Sequence, residues 1–155
     1  MEERKMQVWT IQTLSAFNSL QEKGMLKGDG RRVWREFRPA YRWLVQHMRR
    51  VPDCRGGGYP IWLWREKPDL RRSGHLPRGA KGILLELDIP EERILWSNFW
   101  IWNLFLTSYG IKDTREIEEE LFQSNPFDES PAIMQGIVDR IFCGEVRNIT
   151  HFTAR

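Results

Sequence analysis

The chain has 155 residues, with 24 Lys and Arg against 21 Asp and Glu, and a formal net charge of +3. This length suits a single domain over residues 1–155, and 41% hydrophobic with 29% charged residues excludes disordered and fibrous proteins. The charge is uneven, because residues 1–81 carry a net charge of +10 and residues 82–155 a net charge of −7. A basic half attracts phosphate groups, which makes nucleic acid a candidate partner, unless the two halves neutralise each other across one fold.

The cysteines and the hydropathy pattern bear on metal binding and on location. Cys54 and Cys143 lack the spacing of a zinc site, so we expect no metal, and isolated cysteines are typical of a reducing compartment. The charged start of the chain has no apolar stretch of the signal-peptide kind, which favours a cytoplasmic protein. Residues 94–111 are long and apolar enough to suggest a membrane span, but their Asn and Ser residues favour a buried helix. No membrane partner is therefore expected.

The first fifty residues predict one strand and two helices. Residues 7–12 alternate in polarity, as a strand does, with Thr10 and Gln12 on the same face. A helix follows that ends at Gly24, and a second helix begins near Pro39 because proline suits the first turn.

The first helix has two candidate residues for its N-terminal cap. Thr13 and Ser15 both carry the hydroxyl that such a cap requires, and the sequence favours neither.

The middle of the chain predicts a second strand and a long loop. Residues 59–64 alternate so that Trp62 and Trp64 share one face, and Pro60 places this segment at an edge or at its own start. Residues 65–81 are polar and rich in Pro, Gly and Arg, which predicts a loop. A loop of that length is either a lid over a bound anion or a solvated excursion.

The second half of the chain predicts short strands and two further helices. The predicted strands cover 82–89, 94–95, 133–138 and 148–153, and the predicted helices cover 98–106 and 114–122. A turn at 143–145 joins the last two strands. Strands and helices mix without strict alternation, so we predict an α+β fold with a mainly antiparallel sheet and flanking helices.

Polar and aromatic side chains on separate predicted strands are the candidates for a binding site. No metal-hydrolase motif and no serine-nucleophile motif is present in the sequence, so the search for chemistry turns to these side chains. They stand at positions that a sheet can bring around one cleft. The candidates are Thr10, Gln12, Tyr59, Trp62, Trp64 and Gln135.

Five segments spread along the chain resemble a family of uncharacterised bacterial proteins that carries a domain-of-unknown-function label. This resemblance implies no activity. The segments are VWTIQT (8–13), AYRWLVQHM (40–48), YPIWLW (59–64), LLELDIP (84–90) and MQGIV (134–138).

A second resemblance concerns the order strand, helix, then Gly-Met-Leu at 24–26. It is similar to the opening of the ADP-ribosyltransferase fold, including its DNA-modifying toxin branch, and implies a split sheet with NAD as substrate. In that branch the first strand carries His-x-Thr. Thr10 here takes the place of the His and Gln12 the place of the Thr. The second predicted strand corresponds to the one that supports nicotinamide.

The resemblance also implies catalytic residues. The segment MQGIV (134–138) is similar to the place where the family carries its catalytic Glu, and Gln135 falls at that position. Gln135 and Thr10 are thus the implied catalytic pair. An amide still hydrogen-bonds the ribose but lacks the negative charge that stabilises an oxocarbenium-like transition state. The chain is then either a divergent transferase or a cleft that binds NAD without turnover.

The expected ligand contacts follow from this resemblance. NAD would lie between the first two strands, with Trp62 or Trp64 stacked on nicotinamide and Gln12 and Tyr59 beside it. Arg31 and Arg35 would hold the pyrophosphate or a nucleic-acid acceptor.

Other arginines support a different interpretation. The arginines near Trp34, Tyr41 and Trp43 favour a non-enzymatic module that binds nucleic acid or another protein.

Overall fold

The structure is a computed structural model that describes residues 4–28, 33–49, 59–108 and 134–155. Its helices and strands are β1 (Lys5–Thr13), α1 (Leu14–Lys23), β2 (Met25–Lys27), α2 (Arg38–Met48), β3 (Ile61–Trp64), β4 (Lys81–Pro90), β5 (Leu95–Asn98), α3 (Phe99–Ser108), β6 (Met134–Val138), β7 (Arg140–Phe142) and β8 (Val146–Thr153). The predicted acidic helix over 114–122 lies outside the described residues.

Six of the strands form one sheet in the order β5-β6-β3-β1-β4-β8, while β2 and β7 form a separate two-stranded sheet. The strand pairs are antiparallel in both sheets. The predicted α+β class with a mainly antiparallel sheet is therefore confirmed.

The sheet is nearly interrupted between β1 and β3. β1 pairs with β4 along its whole length, from Lys5 opposite Pro90 to Thr13 opposite Gly82. Against β3 it pairs only at Trp9, which lies opposite Trp64. Because the ladder of backbone hydrogen bonds does not continue past this pair, side chains of both strands have access to the space between them.

The first helix begins and ends on residues that its sequence predicts. Thr13 is the N-cap, and its hydroxyl accepts a hydrogen bond of 3.1 Å from the backbone N–H of Ala16. Gly24 ends the helix at a φ of 74°, a left-handed conformation that glycine adopts without the clash of a Cβ. Ser15 is the second residue of the helix, so it is not the N-cap.

One hydrophobic core lies between α1 and the sheet. Phe17 and Leu20 of α1 are buried there against alternate residues of β1, β3 and β4. The small β2–β7 sheet adds Leu26 and Ile141 to the same cluster. The sheet residues of this core are Val8, Ile61, Leu63, Ile83, Leu85, Leu87, Ile89 and Val138.

A second, aromatic core lies on the other side of β3 and β6, beneath α2 and α3. Its residues on β3 and β6 are Trp62 and Ile137, which alternate with the residues of the first core. The helices contribute Ala40, Leu44, Met48, Trp102 and Phe105 as buried residues, with Tyr41, Trp43, Ile101 and Leu106 packed beside them.

The apolar segment 94–111 resolves into β5 and the helix α3 (Phe99–Ser108), as far as the structure describes it. In the described parts of the chain, no helix combines the length and apolar character needed to cross a lipid bilayer.

Residues 65–80 form turns and bends without a helix or strand, as predicted. Asp69 organises this loop, because its carboxylate accepts hydrogen bonds from the guanidinium and the backbone N–H of Arg71 at 3.0–3.1 Å. These bonds lower the pKa of Asp69 to about 2, so this carboxylate is charged at neutral pH. The Asp69 carbonyl also contacts Nε2 of His75 at 3.1 Å, which fixes the imidazole against the loop.

Candidate ligand-binding cleft

A cleft of about 1080 Å³ opens where β1 and β3 separate. Binding sites for small molecules are commonly about 300–1,000 Å³, so this space accommodates a ligand as large as a dinucleotide. Its walls come from α1, β2, α2, β3 and α3, with Gly74 and His75 of the 65–80 loop at one side.

Six of the eight predicted site residues line this single cleft. They reach it from both faces of the sheet, because Thr10 and Gln12 share the face of α1 while Trp62 and Trp64 share the face of α2 and α3. The six are Thr10, Gln12, Tyr59, Trp62, Trp64 and Gln135.

Of the two predicted arginines, the structure describes only Arg35. Arg35 is exposed on a short 3-10 turn and is not among the described residues that line the cleft, so its contact with a pyrophosphate stays a prediction. Arg31 lies outside the described residues.

The Thr10 hydroxyl connects β1 to β3 across the opening. It donates a hydrogen bond of 2.9 Å to the carbonyl oxygen of Trp62 and accepts one of 2.9 Å from the side-chain amide of Gln12. A hydroxyl has one proton, and Thr10 uses it within the protein. Thr10 therefore acts as a positioning residue here, and its catalytic role stays a prediction.

Replacing Thr10 with valine should lower the free energy of unfolding by about 1–3 kcal/mol. The isosteric change removes both hydrogen bonds and leaves the Trp62 carbonyl and the Gln12 amide without this partner. Thr10→Ser keeps the hydroxyl and is the matched control, to be compared by urea denaturation. Equal stabilities of the two variants would show that the bridge contributes nothing.

Aromatic side chains form one wall of the cleft. Tyr41 contacts Trp102 edge-to-face with ring centroids 5.2 Å apart, and Trp62 lies 5.5 Å from the same indole. Trp64 lies 6.3 Å from Phe99. Burial raises the pKa of Tyr41, an effect that hydrogen bonds with Trp62 and Trp102 partly oppose, so the phenol stays neutral at physiological pH. The wall is aromatic and uncharged, and the face of a single ring in it suits stacking with a planar ligand ring.

Trp34 is the exposed aromatic residue of the cleft. It is 68% exposed, lines the cleft, and stacks on Phe37 with ring centroids 6.0 Å apart and planes inclined by 7°. An indole held parallel to a neighbouring ring and open to solvent offers a second stacking surface at the mouth.

A polar face of α1 forms the opposite wall. Ser15, Ser19 and Lys23 follow each other at intervals of four residues, so they share one side of the helix, and all three line the cleft. Lys27 of β2 adds a second ammonium group. No Asp or Glu occurs among the described residues lining the cleft, so its electrostatic character favours an anionic ligand.

These α1 residues were missed as site candidates, although the four-residue interval was visible in the sequence. The same helix shows a clear apolar face with Phe17 and Leu20, and Ser15 was considered only as a candidate N-cap. What the sequence does not show is that β3 and the aromatic core stand opposite this helix face.

Backbone contact closes one end of the cleft. Gly28 forms an isolated bridge with Tyr59, and both residues line the cleft. A Cβ at position 28 would overlap the carbonyl oxygen of Tyr59, which explains why glycine stands here.

Gln135 is the polar side chain of β6 in the cleft. It is 5% exposed and lies opposite Trp64 of β3 and Ser97 of β5 in the sheet register. The Ser97 hydroxyl donates a hydrogen bond of 3.3 Å to the backbone carbonyl of Gln135. In the portions of the chain that the structure describes, three or more His, Cys, Asp or Glu residues are nowhere grouped as metal ligands would be.

Comparison with known families gives one match. The family model described as "Domain of unknown function (DUF3841)" matches residues 7–141, from β1 to β7. Neither the curated proteins nor the solved structures yield a match. The resemblance to ADP-ribosyltransferases therefore receives no support from these comparisons.

Proposed function

We propose that the cleft of this chain, which belongs to the DUF3841 family, binds NAD as the substrate of an ADP-ribosyl transfer. The observation that carries the proposal is the common cleft of Thr10, Gln12, Tyr59, Trp62, Trp64 and Gln135, residues far apart in sequence. Residue type and strand alternation in the sequence predict this set independently of the strand order.

The chemistry of the walls supports a dinucleotide. NAD combines two flat rings with a doubly charged pyrophosphate, and the cleft combines aromatic side chains with two lysines and no described carboxylate. In this proposal Lys23 and Lys27 take the pyrophosphate contacts that the sequence suggested for Arg31 and Arg35. Ser15 and Gln12 also line the cleft, and in this proposal they bind ribose hydroxyls.

The proposed reaction is a substitution at the ribose carbon that carries nicotinamide. The bond from this carbon to the ring nitrogen breaks and nicotinamide leaves with the electron pair, while a nucleophile of a protein or nucleic-acid acceptor forms the new bond and releases a proton to solvent. Gln135 carries no charge, so it stabilises the cationic transition state less than a carboxylate would. We accordingly expect slow turnover, with NAD binding as the property measured first.

Neutralising both lysines of the cleft should weaken NAD binding roughly tenfold, because two charge-assisted contacts to the pyrophosphate are lost. Isothermal titration of NAD into the parent protein and into Lys23→Gln/Lys27→Gln measures this change. Lys5→Gln/Lys81→Gln removes two exposed charges that are not among the cleft residues and is the matched control.

Mass spectrometry of candidate acceptors incubated with the protein and NAD then tests transfer. The expected result is the addition of one ADP-ribosyl group, with loss of the signal in the Lys23→Gln/Lys27→Gln variant. Absence of binding heat with NAD would contradict the whole proposal, whereas binding without a mass increase would contradict only the transfer step.

The second candidate function is binding of single-stranded nucleic acid. Trp34 presents an exposed indole, and Arg35 and Arg38 are exposed beside it. Exposed rings stack on bases while arginines contact phosphates. The test is binding of a single-stranded oligonucleotide to the parent protein and to Trp34→Ala, with and without NAD. Binding that is lost in Trp34→Ala and unaffected by NAD would favour this function over NAD binding.

A further inference from the structure

The side-chain amide of Gln135 lacks a hydrogen-bond partner among the described residues, although its residue is 95% buried. The Ser97 hydroxyl donates its hydrogen bond to the backbone carbonyl of Gln135 and not to its side chain. A primary amide has two N–H donors and one acceptor oxygen. The amide atoms of Gln135 are not sealed from solvent, so they are open to the cleft. Since Gln135 lines the cleft, a ligand is the natural source of these bonds.

The rings around Gln135 define the shape of that ligand. Trp64 lies directly opposite Gln135 in the sheet register, which places the two side chains on the same face. The ring centroid of Phe99 lies 6.3 Å from that of Trp64, and Trp102 of α3 also lines the cleft. A flat, apolar ligand surface packs against such walls, with its polar edge turned to the amide.

We infer that Gln135 recognises the in-plane hydrogen-bonding edge of a flat ring that carries a donor and an acceptor side by side. For NAD this edge is the carboxamide of nicotinamide, which pairs with a side-chain amide through two coplanar hydrogen bonds. The inference rests on the proposed function and names the part of the ligand that Gln135 reads. It differs from the ribose contact that the family resemblance implies.

The distribution of polar groups favours this assignment over a ribose contact. Ribose hydroxyls need donors and acceptors at several angles, and the Ser15 and Ser19 hydroxyls with Gln12 offer these on the α1 and β1 side of the cleft. Around Gln135 the neighbouring cleft side chains are mainly aromatic, and a hydrated sugar buried there would lose hydrogen bonds to water.

The test compares NAD with ADP-ribose, which keeps both riboses and the pyrophosphate but has no nicotinamide ring. Gln135→Met preserves length and removes every hydrogen bond of the amide. It should weaken NAD binding roughly 10- to 100-fold and change ADP-ribose binding less than about twofold. Gln7→Met, at an exposed glutamine paired with Glu86 outside the cleft, is the matched control and should change neither.

A second measurement needs no variant, so it holds even if Gln135→Met fails to fold. The parent protein should prefer NAD over its analogue with a carboxylate in place of the carboxamide by roughly tenfold or more, because one of the two coplanar bonds is lost. The inference would be overturned if Gln135→Met lost equal affinity for NAD and for ADP-ribose. It would also be overturned if the parent protein showed no preference for the carboxamide over the carboxylate.

The inference about Gln135 can be tested even if the proposed function is wrong. If NAD does not bind, the same titrations with nicotinamide and the four common nucleosides decide the inference alone. A ring ligand that binds the parent protein and loses its affinity in Gln135→Met would uphold the inference and reject NAD. If none of these rings binds, the inference is overturned together with the proposed function.

Discussion

Replacing Arg93 with methionine should lower the free energy of unfolding by about 3–5 kcal/mol. The Arg93 guanidinium is 9% exposed, forms an ion pair with Glu145, and donates a hydrogen bond of 2.7 Å to the carbonyl oxygen of Arg140. It also lies 5.1 Å from the ring centroid of Phe142. Methionine keeps most of the apolar contact but leaves the carboxylate of Glu145, whose side chain is only 14% exposed, without its cation.

The site of this ion pair explains why the effect should be large. Glu145 also accepts a hydrogen bond of 2.8 Å from the backbone N–H of Phe142, so one carboxylate supports the end of β7 and the guanidinium together. Arg93 follows β4 in sequence, and its bonds fasten the six-stranded sheet to the small β2–β7 sheet. Loss of Arg93 therefore weakens the contact between the two sheets.

Urea denaturation followed by far-ultraviolet circular dichroism measures the change. The matched control is Arg147→Met, which removes the more exposed ion pair with Asp88, 3.4 Å long, and should cost less than about 1 kcal/mol. Arg93→Met/Glu145→Met removes both charges and should recover part of the lost stability. A loss for Arg93→Met no larger than that for Arg147→Met would show that the buried pair is not a principal contact.

Replacing Phe105 with alanine should also lower the free energy of unfolding by about 3–5 kcal/mol, since a fully buried ring is removed and a cavity is left. The Phe105 ring lies 4.3 Å from Trp43 and 5.7 Å from Trp102, between α2 and the cleft wall. Trp102 lines the cleft and packs on Phe105. Loss of the Phe105 ring should therefore also weaken the binding of any ligand that packs on the aromatic wall.

Leu104→Ala is the control for this prediction, because Leu104 precedes Phe105 on the same helix and is 47% exposed. Its substitution should cost less than about 1 kcal/mol. Thermal unfolding followed by intrinsic tryptophan fluorescence reports on the same core, since Trp43 and Trp102 are the neighbours of Phe105. Similar midpoints for the two variants would contradict the packing of α3 against α2.

Much of the fold was predictable because its cues are local. The alternation in 7–12 and 59–64 and the end of α1 at Gly24 each depend on residues within a few positions of one another, as does the choice of Thr13 and Ser15 as candidate caps. Proline at position 39 likewise stands in the first turn of α2. Periodicity and capping reflect the geometry of one helix or strand, and residues close together in the sequence are enough to specify it.

The strands β2 (Met25–Lys27) and β7 (Arg140–Phe142) escaped prediction for the same reason. Each has three residues, too few to show a period of two. They become strands because they pair with each other across more than a hundred positions of sequence, with Leu26 opposite Ile141. The turn expected at 143–145 does occur, but it follows β7 and leads into β8.

The candidate site was likewise only partly predictable from the sequence. Residue type and alternation were enough to select Gln12, Trp62 and Gln135 as polar or aromatic side chains on separate strands. Their union in one cleft, the presence of Lys23 in its lining and the bridging role of Thr10 depend on where β1 separates from β3. Strand order and the place where a sheet opens result from the packing of distant segments, a property that no local stretch of this chain contains.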